Sequence, residues 1–498
     1  MHGRMSAMIA ATADVVLRIC RLPGLNSPRV YTLLGLPTLQ PLWERIARRR
    51  AVAAFHHARR RCPAYTRFLH DAAFSSPVGF ASFSAVPETT KVNYVKKYSI
   101  EDRCDGGRIP TRGVVIDESS GSSGPPNNWV RSASERAGVR RMLHHGFALR
   151  FERDALFLIN CFALGPWATG MNVSMSLVDA VILKSVGPDK QKLESTLRLF
   201  GPRYTYAIAG YPPFIKDFLD TTSLDLSAYE LHLLVGGEGI TEGLRDRFLT
   251  AFRTVHSSYG ASDLEINIGA ETPQAIAIRR LCVANTALCR ALFGRDEPPM
   301  LFQYDPLDYV IETNGAGELI FTLVRPGYAA PRIRYNLHDV GGVLPHRRVL
   351  EILAEHAISP TSLPRGMAFP FLFVYGRSDL TVPFYGAKVF TTDVDAVLTG
   401  DAALRDRVHS FQIRTGHDER LNETLTIALE RTNAGTDPLD PATLRDVFFR
   451  GLCRVNQDFR EVSKMFTPDR ITIEVHDFGA GPFAGRDIRV KNRYIADP

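Results

Sequence analysis

The chain has 498 residues, of which 45% are hydrophobic and 23% are charged, so it is long enough for two or three domains with ordinary hydrophobic cores. Its formal net charge of +7 suits anionic partners, but no stripe of basic and aromatic residues accompanies the charge, which argues against nucleic acid as a partner. The seven scattered cysteines form no CxxC pair and have no zinc spacing. They predict a reducing, cytoplasmic location and argue against a structural metal site.

The N-terminal 75 residues predict helices. The apolar segment from Met8 to Leu22 is interrupted by Asp14 and Arg18, which makes it too short and too charged for a membrane span. It also lacks a signal-peptide cleavage pattern, so we predict an amphipathic helix there. Residues 43 to 69 carry apolar side chains at helical spacing, with arginines between them, and predict a second helical segment.

A serine- and glycine-rich stretch follows the apolar run at residues 114–116. Its residues are Ser119, Ser120, Gly121, Ser122, Ser123 and Gly124, and two prolines come after it. Glycine lets backbone N–H groups approach a ligand closely, and several convergent donors make a concavity that suits phosphate. A flexible linker explains the same composition. From this stretch alone the two interpretations are equally supported.

Strands and helices alternate through the middle of the chain. The hydrophobic pattern predicts strands at 155–161, 180–186, 204–209 and 231–235, with helices at 131–153, 190–200, 213–219 and 242–252. Such alternation predicts an α/β fold with a mostly parallel sheet flanked by helices. Because ligands on such sheets bind at the carboxyl ends of the strands, we expect the chemistry in the loops that follow them.

The pattern changes after residue 300. Segments 308–313, 318–324 and 333–337 predict antiparallel strands in a distorted β-region. Turn residues at 375–379 indicate a boundary between a large domain, residues 1–375, and a small α+β domain, residues 376–498. In the small domain the pattern predicts strands at 410–415, 424–430 and 470–475 and helices at 392–398 and 441–456.

Further glycine and polar motifs stand in a fixed order along the chain. After the serine/glycine stretch come residues 235–240, 257–263, 332–339 and 376–379. Each motif is weak alone: the glycines at 237 and 239 lack the third glycine of a dinucleotide fingerprint. No Walker A, G-x-S-x-G or H-E-x-x-H sequence is present, so those motif-defined nucleotide, hydrolase and metalloprotease sites are not indicated.

The ordered set resembles the adenylate-forming superfamily of acyl-CoA synthetases, peptide-synthetase adenylation domains and luciferases. Residues 62–65 and 86–91, and the compact length, are most similar to its phenylacetate–CoA ligase-like and coenzyme F synthetase-like branch. The resemblance implies a mobile C-terminal lid domain and ATP-dependent activation of a small-molecule carboxylic acid to an acyl-adenylate. Acyl transfer, most often to CoA, follows. An amine or a carrier-protein thiol as acceptor, a degenerate nucleotide-binding homologue and a homodimer all stay open.

The resemblance also implies roles for individual residues. Ser119 to Gly124 would grip the ATP phosphates, and Lys491 would act in adenylation. Asp339 would bind the ribose hydroxyls and Arg377 the ribose or a phosphate. Asp379 would lie at the inter-domain hinge and Gly386 in the loop for the thiol acceptor. The implied adenine and phosphate contacts further comprise Gly236, Gly237, Glu238, Ser258, Tyr259, Gly260 and Ser262.

The magnesium site and the phosphate loop depart from the family pattern. Ser262-Asp263 replaces the usual Thr-Glu, so Asp263 is the expected magnesium ligand and Glu265 is its rival. Pro125 stands where a lysine is usual. Two explanations stay open: sequence drift within an active enzyme, or a change in the chemistry that the enzyme catalyses. Lys388 and Lys464 are alternatives to Lys491 for the catalytic lysine.

Overall fold

The computed structural model of the chain describes residues 27–118, 127–151, 156–165, 168–377, 381–385, 387–418, 423–433, 439–456, 459–460, 463 and 466–485. The α-helices within these ranges are α1 Pro28–Leu34, α2 Gln40–Arg61, α3 Pro63–Asp71, α4 Ala133–Arg150, α5 Ala168–Leu177, α6 Lys190–Phe200, α7 Pro212–Thr221, α8 Glu242–Phe248, α9 Pro273–Ala284, α10 Thr286–Phe293, α11 His346–Glu355, α12 Thr391–Gly400, α13 Ala402–Arg405 and α14 Pro441–Val455. The strands are β1 Val115–Glu118, β2 Asn128–Arg131, β3 Leu156–Asn160, β4 Ile182–Ser185, β5 Thr205–Gly210, β6 Glu230–Gly236, β7 Thr254–Tyr259, β8 Gly269–Ala270, β9 Met300–Tyr304, β10 Tyr309–Thr313, β11 Glu318–Leu323, β12 Tyr335–Leu344, β13 Phe371–Arg377, β14 Thr381–Phe384, β15 Ala387–Phe390, β16 Val408–His417, β17 Glu423–Arg431 and β18 Ile471–His476.

One large mixed sheet organises the chain up to residue 377. Its strand order is β10-β11-β12-β13-β9-β8-β7-β6-β5-β3-β4, and the β4-β3-β5-β6-β7 half is parallel. Every residue of β3 and β5 is buried, as expected for parallel strands covered on both faces. The predicted α/β class with flanking helices is confirmed, and the predicted antiparallel strands form the other half of the same sheet.

The helices between the parallel strands begin and end where the sequence provides caps. Asp189 accepts the backbone N–H of Lys192 at 2.9 Å at the start of α6, and Gly201 follows the helix with φ +68°, where glycine carries no Cβ penalty. The predicted bounds 190–200 are confirmed. Because β6 and β7 are parallel neighbours, the loops that follow them lie at the same edge of the sheet.

A short hairpin brings the two ends of the serine/glycine stretch together. Strands β1 and β2 pair antiparallel, with Glu118 opposite Asn128 and Val115 opposite Arg131. Asp117 and Arg131 form an ion pair at 2.9 Å, with side chains only 4% and 5% exposed. Residues 119–124 themselves lie outside the described residues, so their phosphate-binding role stays a prediction.

The region after residue 381 has its own sheet and core. Strands β16, β17 and β18 form a three-stranded sheet, in which β17 and β18 are parallel. Buried apolar side chains from Val382 to Ile473 form a separate cluster that includes α14. The domain boundary at 375/376 stays a prediction. No helix in the described ranges is both long and apolar enough to span a membrane.

Candidate functional site

A cavity of about 310 Å³ lies beside the carboxyl ends of β6 and β7 and is bounded on its other side by α12. Its lining combines several residues that the sequence predicts for a nucleotide site: Gly237, Glu238, Ser258, Tyr259, Gly260 and Asp339. The fold therefore brings together side chains and backbone from three separate sequence motifs. Open-sheet ligand sites occupy this position at the carboxyl ends of strands.

The loop after β6 depends on its glycines. Gly237 has φ +84°, a conformation that side chains with a Cβ rarely adopt. A Cβ on Gly236 would lie 3.0 Å from Oγ of Ser258, so a larger residue would push the loop after β6 away from β7. These glycines keep the two loops close enough to line one cavity.

A buried ion network supports the same loops from behind. The Arg245 guanidinium pairs with Glu242 at 2.9 Å and with Glu271 at 2.6 Å. Glu271 also accepts the backbone N–H of Ser257 at 2.7 Å, while Arg279 donates to the Ile240 carbonyl at 2.7 Å. Buried charges that are paired in this way hold a backbone in one position.

Tyr259 and Asp339 are joined directly. The tyrosine hydroxyl donates to Oδ2 of Asp339, which is 7% exposed and lines the cavity. The Tyr259 ring packs near Phe302 and Phe321, with centroid distances of 5.8 and 6.0 Å. The predicted adenine-side aromatic and the predicted ribose carboxylate thus lie side by side.

The residues around Gly260 form a tight turn. A Cβ on Gly260 would approach the backbone nitrogen of Asn267 to 2.5 Å, so only glycine fits without moving the chain. The carbonyl of Ser262 accepts a hydrogen bond from the Arg131 guanidinium, which ties this turn to β2. No side-chain hydrogen bond of Ser262 is seen among the described residues, and its phosphate role stays a prediction.

The two predicted magnesium ligands both accept hydrogen bonds from protein donors. Asp263 accepts from Nε1 of Trp129 at 2.8 Å and from the Tyr335 hydroxyl at 3.1 Å. Glu265 accepts from the Tyr309 hydroxyl at 2.6 Å and pairs with the Arg325 guanidinium. Among the described residues, no group of three or more potential ligands is placed to hold a metal ion.

Other predicted residues are placed only in part. The backbone of Arg377 pairs with that of Asp339 across β12 and β13, which puts this position beside the predicted ribose carboxylate. Asp379, Gly386, Lys464 and Lys491 lie outside the described residues. Their hinge, acceptor-loop and catalytic roles stay predictions.

Two acidic residues line the cavity: Glu238, in the loop after β6, and Asp395. Burial, together with the facing carboxylate of Glu238, raises the pKa of Asp395 to about 6, and Lys216 opposes this shift. Asp395 lies on α12. The carboxylates of Glu238 and Asp395 therefore repel each other when both are ionised.

An aromatic pair follows two of the parallel strands. Phe162 and Tyr211 follow β3 and β5, and their ring centroids are 5.0 Å apart in an edge-to-face arrangement. Burial raises the pKa of the Tyr211 hydroxyl, so it is neutral at physiological pH. The two rings pack against each other beside the loop that follows β6, since a Cβ on Gly236 would lie 3.7 Å from the Phe162 ring.

Sequence reasoning missed Trp129, Arg131 and Tyr335, which fix the loop at 259–265. One signal was present: Tyr259 to Asp263 and Tyr335 to Asp339 have the same Tyr-x-x-x-Asp spacing. The spacing becomes informative only when the two segments are seen to face each other.

Comparison with known proteins supports the fold. No family model and no curated protein matches the chain. Among solved structures, it is similar to 2-hydroxyisobutyryl-CoA ligase in the postadenylation state with R3-HIB-AMP, with a TM-score of 0.65, 14% identity and coverage of 91% of this chain and 89% of that chain. The same ligase with 2-HIB-AMP and CoA in the thioesterification state gives a TM-score of 0.52 at 15% identity, with coverage of 91% and 89%.

The chain therefore shares its fold with 2-hydroxyisobutyryl-CoA ligase, which is the fold expected from the resemblance of its motifs to the adenylate-forming superfamily. The resemblance of the ordered motifs to that superfamily is confirmed at the level of fold. The narrower branch, which is similar to phenylacetate–CoA ligase, stays a prediction.

Proposed function

We propose that the protein is an AMP-forming acid–thiol ligase. In the first step a substrate carboxylate attacks the α-phosphorus of ATP, which forms an acyl-adenylate and releases pyrophosphate. In the second step the thiol of CoA loses its proton and attacks the acyl carbon, which forms a thioester and releases AMP. The substrate is a small organic or aryl acid.

The observation that carries this proposal is the Tyr259–Asp339 pair in a cavity at the carboxyl ends of β6 and β7. An aromatic ring can pack against the adenine, and the adjacent carboxylate can accept ribose hydroxyls. Gly237 and Glu238 line the same cavity. The fold supports the assignment, because the 2-hydroxyisobutyryl-CoA ligase structures contain acyl-adenylates.

The serine/glycine stretch is the proposed binding segment for the triphosphate. Its flanking residues Glu118 and Asn128 are paired, and β2 is tied by Arg131 to the turn at Ser262. We therefore expect the phosphates on the hairpin side of the cavity and the substrate acid near Phe162 and Tyr211. ATP, a divalent cation and CoA are the proposed cofactors.

Acid-dependent exchange of labelled pyrophosphate into ATP tests the first step. We expect exchange with at least one member of a broad panel of aliphatic and aryl acids. Absence of exchange across that panel, in protein whose folding is verified by circular dichroism, would contradict adenylation. A thioester that forms only when CoA is added would identify the acceptor. Product formation with an amine or a carrier protein, but not with CoA, would change the second step alone.

A second candidate is a nucleotide-binding homologue without turnover. The carboxylates of Asp263 and Glu265 favour it, because both already accept hydrogen bonds from protein donors. This candidate predicts tight ATP binding, no pyrophosphate exchange and no effect of Lys491→Ala on binding. Acid-dependent exchange by the wild-type protein would exclude it.

A further inference from the structure

Two segments with the same Tyr-x-x-x-Asp spacing are cross-connected. Tyr259 at the end of β7 donates its hydroxyl to Asp339 on β12. Tyr335 at the start of β12 donates its hydroxyl at 3.1 Å to Asp263, four residues after Tyr259. Each tyrosine therefore binds the aspartate of the other segment. The Tyr259–Asp339 pair lines the cavity, whereas the Tyr335–Asp263 pair is buried.

The carboxylate of Asp263 is occupied by neutral donors on both oxygens. Oδ2 accepts from Tyr335, and Oδ1 accepts from Nε1 of Trp129 at 2.8 Å. Tyr335 and Trp129 are each 1% exposed. A divalent cation at Asp263 would have to displace buried hydrogen bonds and leave their donors unpaired, which is costly.

Two arginine side chains lie over the Trp129 ring that donates to this carboxylate. The guanidinium groups of Arg103 and Arg332 lie 5.0 and 4.6 Å from the centre of the Trp129 ring. Nε of Arg332 also donates to the backbone carbonyl of Asp263 at 3.3 Å. These groups offset the carboxylate charge and would repel a divalent cation placed next to it.

Glu265 does not offer a substitute. The Arg325 guanidinium contacts both of its oxygens, and its Oε2 accepts from the Tyr309 hydroxyl at 2.6 Å. Arg325 is in turn paired with Asp308 at 3.1 Å. The residues that the fold family implies for magnesium therefore do not fit a magnesium ligand set in this chain.

We propose that Asp263 is a positioning residue and not a cation ligand. It joins β2, through Trp129, and β12, through Tyr335, to the turn after β7, and so sets the placement of Tyr259 against Asp339 in the cavity. The nucleotide-binding consequence rests on the proposed function. The mechanical coupling between the two Tyr-x-x-x-Asp segments does not depend on it.

Hydrogen exchange of the free protein tests the coupling. We expect Asp263→Asn and Tyr335→Phe each to speed amide exchange at least fivefold in both residues 259–265 and residues 335–339, with no further increase in the double variant. Tyr206→Phe is the matched control, because it removes a partly buried hydrogen bond of 2.6 Å from a tyrosine on β5 to the Gly201 carbonyl. Unchanged exchange at 335–339 in Asp263→Asn would overturn the proposal whether or not the protein binds nucleotide.

Measurements of nucleotide binding distinguish a positioning role of Asp263 from a cation-binding role. By calorimetry in EDTA, we expect AMP affinity to fall at least fivefold for Asp263→Asn and Tyr335→Phe. The magnesium concentration that half-saturates ATP binding should change less than twofold. Unchanged AMP affinity with a tenfold rise in that magnesium concentration would overturn the proposal. If the wild-type protein binds no AMP, the proposed function fails, and the exchange result still decides the coupling.

The variant Asp263→Glu is a second way to distinguish a positioning role from a cation-binding role. It keeps the negative charge and adds one methylene to a buried site between Trp129 and Tyr335. A positioning role predicts faster exchange at 335–339 and AMP affinity reduced as in Asp263→Asn. Wild-type exchange and affinity in Asp263→Glu, together with a change in magnesium dependence in Asp263→Asn, would favour a cation ligand and overturn the proposal.

Discussion

Tyr259 donates its hydroxyl to Asp339 across 80 residues of sequence, and the two side chains form one wall of the cavity. The tyrosine is fixed by packing near Phe302 and Phe321 as well as by this hydrogen bond. A carboxylate held in place before a ligand arrives loses little conformational freedom on binding. Asp339 is therefore the side chain from which most nucleotide affinity is expected.

Replacement of Asp339 by asparagine should weaken AMP binding by about 10- to 100-fold, because charge-assisted hydrogen bonds contribute roughly 1.5–3 kcal/mol each. Isothermal titration calorimetry measures this directly. Asp246→Asn is a matched control, since Asp246 is 60% exposed and pairs with Arg280 on the surface. A loss of less than twofold in Asp339→Asn would contradict a ribose-binding role.

Replacement of Arg131 by methionine should lower the free energy of unfolding by about 3–5 kcal/mol, as expected when one partner of a buried ion pair is removed. Asp117 would then be buried without its partner at 2.9 Å, and the carbonyls of Ser262 and Leu264 would lose a donor. Urea denaturation measures the change. Arg347→Met removes an exposed pair with Glu351 and should change stability by less than about 1 kcal/mol. Equal effects of the two variants would contradict this account.

Much of the fold was predictable because its elements are long and periodic. The helix at 190–200 has its predicted bounds, and buried strands such as β5 are continuous apolar runs between turn residues. Strand β2 was missed because it spans only four residues and precedes a long helical pattern, so the segment from Arg131 onward was interpreted as helix. Only its pairing with β1 makes it a strand.

The order of the site motifs along the chain could be predicted from the sequence. The hydrogen-bond partners of the site carboxylates could not. Gly237, Tyr259 and Asp339 were predicted from the resemblance of the ordered motifs to a known superfamily, and they line one cavity. The environment of Asp263 could not be predicted, because Trp129 and Tyr335 are distant in sequence and their donors approach it only in the folded chain. A carboxylate's partners, and not its position in a motif, decide whether it is available to a metal ion.

The stability of the protein should depend on pH through Glu297. Burial and the nearby carboxylate of Asp393 raise the pKa of Glu297 from 4.5 to about 8, and its Oε1 has no hydrogen-bond partner among the described residues. The folded protein thus keeps this proton up to about pH 8, whereas the unfolded chain loses it near pH 4.5. The free energy of unfolding should consequently fall as the pH rises between these two values.

Glu297→Gln should remove this contribution. Relative to the wild type, the variant should gain roughly 4 kcal/mol between pH 5 and pH 8.5, because each unit of pKa shift corresponds to about 1.4 kcal/mol and the amide has no charge to desolvate. Thermal denaturation of both proteins across that range isolates the difference, since other titrating groups are shared. Glu351→Gln, at a surface carboxylate that is 40% exposed and paired with Arg347 and Arg348, is the control and should show no such gain. Parallel pH profiles for wild type and Glu297→Gln would contradict the raised pKa.

The catalytic lysine is the last element to test, and its assignment comes from the sequence alone. Lys491→Ala should reduce acid-dependent pyrophosphate exchange by roughly 10²–10³-fold, because a cation that meets the charge developing at the α-phosphate acts mainly in the transition state. AMP affinity should stay within twofold of the wild type. Lys388→Ala and Lys464→Ala should retain most of the exchange activity. If exchange is instead lost in Lys388→Ala and kept in Lys491→Ala, the adenylation lysine lies at 388, beside β14, and the C-terminal segment has another role.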